Sequence, residues 1–187
     1  LLASSAASDV YKRQTVNSTG DGVKSDNTED TTKGYIIIEG GSLNITSGGD
    51  GIQAETTLTI SDGDINIVSG GGSSNAATHA ESFPMGPWAN PSNTSSSSSS
   101  ETGSAKALKA GTALTVDGGN INIDSADDSI HTNDTVMINT GIFHIKSGDD
   151  GIHADNVLEI NGGDINITDS YEGLEAAHIT CLLYTSD

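Results

Sequence analysis

The chain has 187 residues, one domain's worth, yet apolar residues make up only 33% and aromatics 4%, too little for a conventional globular core. A formal charge of −19, from 26 acidic and 7 basic residues, argues against nucleic acid and anionic membrane as partners and draws in cations. With 23 glycines and long Ser/Thr/Asn/Asp tracts, what such a chain can build is a solenoid, which needs one thin apolar column.

Leu1 to Gln14 lies outside any repeat, and its apolar start is too short for a signal peptide or a membrane span; no membrane insertion is expected of so acidic a chain. A short acidic unit then begins at Gly20-Asp21-Gly22-Val23-Lys24 and returns at Gly49-Asp50-Gly51-Ile52-Gln53. It comes back at Asp127-Asp128-Ser129-Ile130-His131, and then at steps of 22 residues at Asp149-Asp150-Gly151-Ile152-His153 and Tyr171-Glu172-Gly173-Leu174-Glu175. Three apolar ladders accompany it. The first is Val23, Ile52, Leu108, Ile130, Ile152 and Leu174. The second contains the pairs Leu58/Ile60, Leu114/Val116, Val136/Ile138 and Leu158/Ile160, and the third Ile65/Ile67, Ile121/Ile123, Phe143/Ile145 and Ile165/Ile167. Within each stretch apolar and polar residues alternate, the period of a half-buried strand.

These ladders predict an all-β fold: a right-handed parallel β-helix with three short strands per 22-residue coil and five to six coils. Gly41, Gly63, Gly119, Gly141 and Gly163 fall at one phase, where a corner with positive φ is expected. An outward ladder of Asn44, Asn66, Asn122 and Asn166, interrupted by His144, reads as stacked amides. Asn27 to Lys33 lengthens the first coil, and a 56-residue spacing from Ile52 to Leu108 adds 34 residues to the period. The expected layout is a β-helix over 15–180 with a disordered Ser-rich insertion at 69–103, flanked by 1–14 and 181–187. The insertion carries Phe83 and the only tryptophan, Trp88, which are read either as an aromatic platform for sugar stacking or as part of a lid on the wall.

The corner before the first ladder concentrates charge. One column reads Asp21, Asp50, Lys106, Asp128, Asp150, Glu172; the column before it ends Asp127, Asp149, Tyr171, and a third, past the strand, ends at Asp155. Carboxylates one coil apart repel by about 1 kcal/mol or more at surface dielectric, so such a stack calls for a cation. Many hard oxygen donors and no cysteine at this corner favour Ca²⁺; a merely screened acidic ridge and a metal held by His131 and His153 are the competing readings. On the same strand Gly22, Gly51, Ala107, Ser129, Gly151 and Gly173 are expected to line a shallow outward trough. Beside it Lys24, Gln53, Lys109, His131, His153 and Glu175 offer groups to a ligand.

The succession G-D-G-I, D-D-S-I-H and D-D-G-I-H-A-D with I-N-I strands resembles the bacterial carbohydrate-binding β-helix family, over about residues 18–179. That resemblance implies an extracellular or cell-surface, calcium-containing protein with a pectate-lyase-like fold, a cellulose-like or polygalacturonate glycan as partner, and Asp127, Asp128, Asp149, Asp150 and Asp155 as calcium ligands. The two ends resemble translated sequencing-adapter read-through, which would make Arg13 and Cys181 foreign and leave the native N-terminal signal missing. A binding domain is the leading reading. A polysaccharide lyase, with Lys109 as base, and a structural adhesin stalk are the alternatives, and the oligomeric state is left open.

Overall fold

The computed structural model describes residues 12–77 and 104–182. Alternating isoleucines, leucines and valines make short strands between acidic or glycine corners, and the strands recur in threes. They are β1 (Arg13–Ser18), β2 (Val23–Ser25), β3 (Ile36–Ile38), β4 (Ser42–Ser47), β5 (Ile52–Ala54), β6 (Thr57–Ile60) and β7 (Asp64–Ser69). A single 3-10 turn at Ser73–Asn75 follows, then β8 (Leu108–Ala110), β9 (Ala113–Val116), β10 (Asn120–Ser125), β11 (Ile130–Thr132), β12 (Thr135–Ile138) and β13 (Ile142–Ser147). Last come β14 (Ile152–Ile160), β15 (Asp164–Asp169) and β16 (Leu174–Cys181).

Every pairing is parallel. A six-stranded sheet runs β1-β4-β7-β10-β13-β15, and a ten-stranded sheet runs β2-β5-β8-β11-β14-β12-β9-β6-β3 with β16 against β14. The fold is therefore all-β with almost no helix, its parallel sheets nearly closed into a barrel-like shape. The first ladder is reproduced residue for residue: Val23 faces Ile52, Ile52 faces Leu108, Leu108 faces Ile130, and Ile130 faces Ile152. The second and third ladders align likewise, Leu58 with Leu114 and Ile65 with Ile121 among them. Ile52, Leu58, Leu108, Leu114, Ile130 and Phe143 are fully buried in one continuous apolar column. At the two ends of the sheets Val16, Val23, Ile165 and Leu174 are only partly covered, because no further strand among the described residues packs on them.

The glycine column also behaves as its phase requires. Gly41, Gly63, Gly119, Gly141 and Gly163 have φ between 96° and 131°, and a Cβ on Gly119 would stand 2.8 Å from the Gly63 carbonyl oxygen.

The coils are not all built from three separate strands. In β14 the corner residues Asp155 and Asn156 stay extended, so one strand covers the first and second ladder positions and joins them into one sheet. The register against β16 shifts between Ala154 and Val157, the mark of a bulge that absorbs the missing turn. Strand pairing also reaches further than the 15–180 body: Arg13 and Gln14 pair with Ser42 and Leu43, and Cys181 pairs with Ile160. Ser69 completes β7 and is fully buried, and Ser73 to Asn75 forms the ordered root of the long insertion. Phe83, Trp88 and the serine run lie outside the described residues.

Candidate functional site

The acidic corner is a hydrogen-bonded column as well as a charged one. The Asp50 backbone N–H donates to Asp21 Oδ1 at 3.0 Å, and the Lys106 N–H to Asp50 Oδ1 at 2.9 Å. Further along, the Asp150 N–H donates to Asp128 Oδ1 and the Glu172 N–H to Asp150 Oδ1, each at 3.2 Å. Each carboxylate thus ties its own coil to the backbone of the next. Lys106 has no carboxylate to give, so the Asp128 N–H turns to Asp127 Oδ1 instead. Sequence periodicity placed these aspartates in one column; it carried no sign of the bond that makes them structural.

The second carboxylate oxygen differs from coil to coil. Asp21 Oδ2 takes Lys24 Nζ at 3.0 Å, and Asp50 Oδ2 takes Lys109 Nζ at 3.2 Å. Lys106 Nζ sits 2.9 Å from Asp127 Oδ2 and 2.8 Å from Asp128 Oδ2, and His131 Nδ1 lies 2.9 Å from that same Asp128 oxygen. Burial alone would raise the Asp128 carboxyl, but His131, Lys106 and the Asp150 N–H outweigh it and hold the group well below the ordinary carboxylate range.

Asp150 goes the other way. Its Oδ2 meets His153 Nδ1 at 3.4 Å, while Glu175 Oε2 approaches that same nitrogen at 3.6 Å. Burial first, then a hydrogen bond with Glu175 and the charges of Asp149 and Asp128, push the Asp150 carboxyl up to about 6, against a lowering contribution from Glu172. This is the end of the column where carboxylates crowd.

The expected cation ligands divide accordingly. Ligand atoms of Asp127, Asp128 and Asp149 lie within 4.8 Å of one another, as do those of Asp149, Asp150 and Glu172. Both groups are all-oxygen, the donor chemistry that suits Ca²⁺. The first already holds the Lys106 ammonium; the second is where Asp150 is forced up, so added positive charge fits it better. Asp21 and Asp50 join neither group, being held by lysines. Asp155 stands on the far side of His153, 3.5 Å from Nε2. Two histidine-containing sets also converge, Asp128 with His131 and His153, and Asp150 with His153 and Glu175.

Lys24, Gln53, Lys109, His131, His153 and Glu175 do form one continuous row, each facing the next across the parallel register. Most of its charged ends turn toward the acidic column three residues earlier in the chain or one coil away. The row of small residues beside it does not floor a trough. A Cβ on Gly51 would strike Ile67 Cγ2 at 2.5 Å, one on Gly151 would meet Ile167 Cδ1 at 2.8 Å, and Ala107 and Ser129 are fully buried. These residues precede the strand, at the bend where pleated alternation has not begun, and point inward. They are small because the third-ladder isoleucines press against them.

Two further ladders escaped the sequence reading. Ser47, Ser69, Ser125 and Ser147 stack inside the wall; Ser147 Oγ, for example, lies 2.8 Å from the Asp127 carbonyl oxygen and 2.7 Å from that of Asp150. Amide stacking is strongest at another corner, where Asn139 donates to Asp117 at 2.7 Å and Asn161 to Asn139 at 2.9 Å. Both sets stand at a fixed phase in the sequence, which is the signal that could have found them. The Asn44–Asn166 ladder aligns as expected, but only Asn66 Nδ2 to Asn44 Oδ1, at 3.2 Å, joins two of its members.

No helix among the described residues is long and apolar enough to cross a membrane. A family model described as carbohydrate-binding domain-containing protein matches residues 12–151 and, in a second overlapping segment, 134–173. No curated protein and no solved structure matches the chain. Since the match takes in well over half of the chain, and all the strands from β2 to β15, the chain belongs to the carbohydrate-binding domain-containing family.

Proposed function

We propose that this chain is a right-handed parallel β-helix that binds an extended, plant-type polysaccharide outside the cell, with Ca²⁺ held at the acidic corner by Asp149, Asp150 and Glu172. The carbohydrate part rests on the family match over 12–173. The β-helix reading is supported by parallel partners that recur 22 residues apart, with one apolar column inside them. The external location is part of the same reading, because a plant-type polysaccharide is too long to cross a cell envelope intact.

For calcium the supporting observation is Asp150, a buried carboxylate pushed up to about 6 by burial, Glu175 and its acidic neighbours. A divalent cation would remove the penalty of ionising that cluster, and oxygen donors are what Ca²⁺ takes. Lyase chemistry finds less support. A proton-abstracting base must be free to accept a proton, and the two lysines of the strand row are ion-paired, Lys24 with Asp21 and Lys109 with Asp50.

The test is a pull-down on insoluble cellulose and on polygalacturonate, with Ca²⁺ and with chelator, alongside an assay for unsaturated product. The expected result is glycan retention with no product. Retention on neither polymer would refute the binding reading, and unsaturated product would make the protein a lyase.

A further inference from the structure

The polar ends on the first-ladder strands are largely spent on the acidic column. On the outward face of the six-stranded sheet fewer of them are engaged, although Asn66 donates to Asn44 at 3.2 Å. Asn66, Asn122 and His144 face one another in register across β7, β10 and β13, as do Val68, Asp124 and Lys146 two residues along. Together these six side chains edge an open depression of about 300 Å³ whose lining is mostly apolar. Among the described residues the side chains of Asn122, His144 and Lys146 make no hydrogen bond or ion pair, and Asp124 Oδ1 accepts the Ser73 N–H at 2.6 Å.

We infer that this depression is the saccharide-binding groove, and that its ligand is an extended neutral glycan with vicinal hydroxyls lying along the stack; the inference rests on the carbohydrate reading above. Successive coils repeat the same side-chain position every ~4.8 Å, so a regular polymer meets the same group again and again. An amide carries a donor and an acceptor side by side, which is what a pair of neighbouring hydroxyls requires. Val68 and the methylenes of Lys146 supply aliphatic surface for the C–H face of a sugar ring. Charge selects a neutral chain. Asp124 and Lys146 offset each other within the groove, while the chain as a whole carries −19 and repels a polyanion at long range. Repetition along several coils converts weak single contacts into useful avidity.

Calorimetric titration with cellohexaose and with a polygalacturonate oligomer tests this, on the wild type, on Asn122→Ala/His144→Ala, on His144→Asn and on the outward control Thr115→Ala. The expected result is cellohexaose binding that weakens at least tenfold in the double variant, is kept in His144→Asn, where the amide ladder is restored, and is unchanged in Thr115→Ala. Melting temperatures should stay close to the wild type throughout, since none of the replaced side chains is buried and none makes a hydrogen bond or ion pair among the described residues. Wild-type binding with an unaffected double variant would overturn the groove and leave the carbohydrate reading standing. Binding of the uronate oligomer alone would overturn the neutral ligand. Binding of no glycan in any form would overturn the carbohydrate reading and this inference with it.

Discussion

Asp50 and Asp150 stand in the same slot of the acidic column, three coils apart, and the protein uses them differently. Both are buried and both accept the backbone N–H of the next coil on Oδ1, from Lys106 and from Glu172. Asp50 then closes its account locally: Ser104 Oγ donates at 2.7 Å and Lys109 Nζ sits at 3.2 Å. Asp150 instead faces His153 at 3.4 Å and shares a hydrogen bond with Glu175. The structural duty of the column therefore needs only one oxygen of each carboxylate. The other oxygen is free to vary, and it decides whether a coil is self-sufficient or short of positive charge.

The largest expected effect comes from breaking the self-sufficient end. Asp50→Ala orphans the Lys106 N–H and leaves the Ser104 hydroxyl and the Lys109 ammonium only each other, 3.4 Å apart, so urea unfolding should show a loss of about 3–5 kcal/mol. That loss should be the same with Ca²⁺ and with chelator. If Asp50→Ala proves milder than Asp150→Ala measured in chelator, the two ends do not differ as described.

Next in size is the calcium response of the other end. Chelation should lower the melting temperature of the wild type, and Asp150→Ala should abolish most of that sensitivity, since ligand stabilisation scales with concentration over dissociation constant. In chelator the substitution itself should cost about 1 kcal/mol or less, because a lost acceptor for Glu172 is offset by relieved crowding. A melting point indifferent to chelator that rises in Asp150→Ala would leave the column a bare acidic ridge.

The smallest effect is in the pH profile without metal. A carboxyl raised to about 6 in the folded protein binds more protons than the unfolded chain between about pH 4 and 6. Stability should therefore fall as pH rises through that window, and Asp150→Asn should flatten it. Asp128, lowered by His131 and Lys106, contributes in the opposite sense: its stabilisation is present above about pH 4 and fades in more acidic solution. Calorimetric scans from pH 3 to 8 separate the two.

Much of this molecule is legible in its sequence because parallel strands that recur 22 residues apart write their core as period. The ladders through Ile52, Ile130 and Ile152 and the glycine column from Gly41 to Gly163 needed only alternation and phase. What failed was direction at the corners. The alternation of the strand that follows points Gly51 and Gly151 outward, but they sit in the bend before it, where two successive residues face the interior. Side-chain torsion was equally invisible: that an aspartate should reach along the stack to a backbone N–H depends on its rotamer, which no spacing encodes. The extended corner of β14 was hidden too, since Asp155-Asn156 carries the same polar signature as Asn133-Asp134, which turns.

The two sides of the long insertion meet in the wall. Ser69 Oγ donates to the Ala105 carbonyl oxygen at 2.8 Å, and Asp50 reaches across the same junction to Ser104 and Lys106. The chain thus leaves and re-enters at almost one point, with the coils above and below already fastened to each other without it. For a loop anchored in this way each doubling of length costs only about 0.6 kcal/mol of closure entropy. The junction is a socket: sequence between its two contacts can be shortened, exchanged or replaced by a foreign peptide while the stack keeps its register, which makes it the natural graft point on this scaffold.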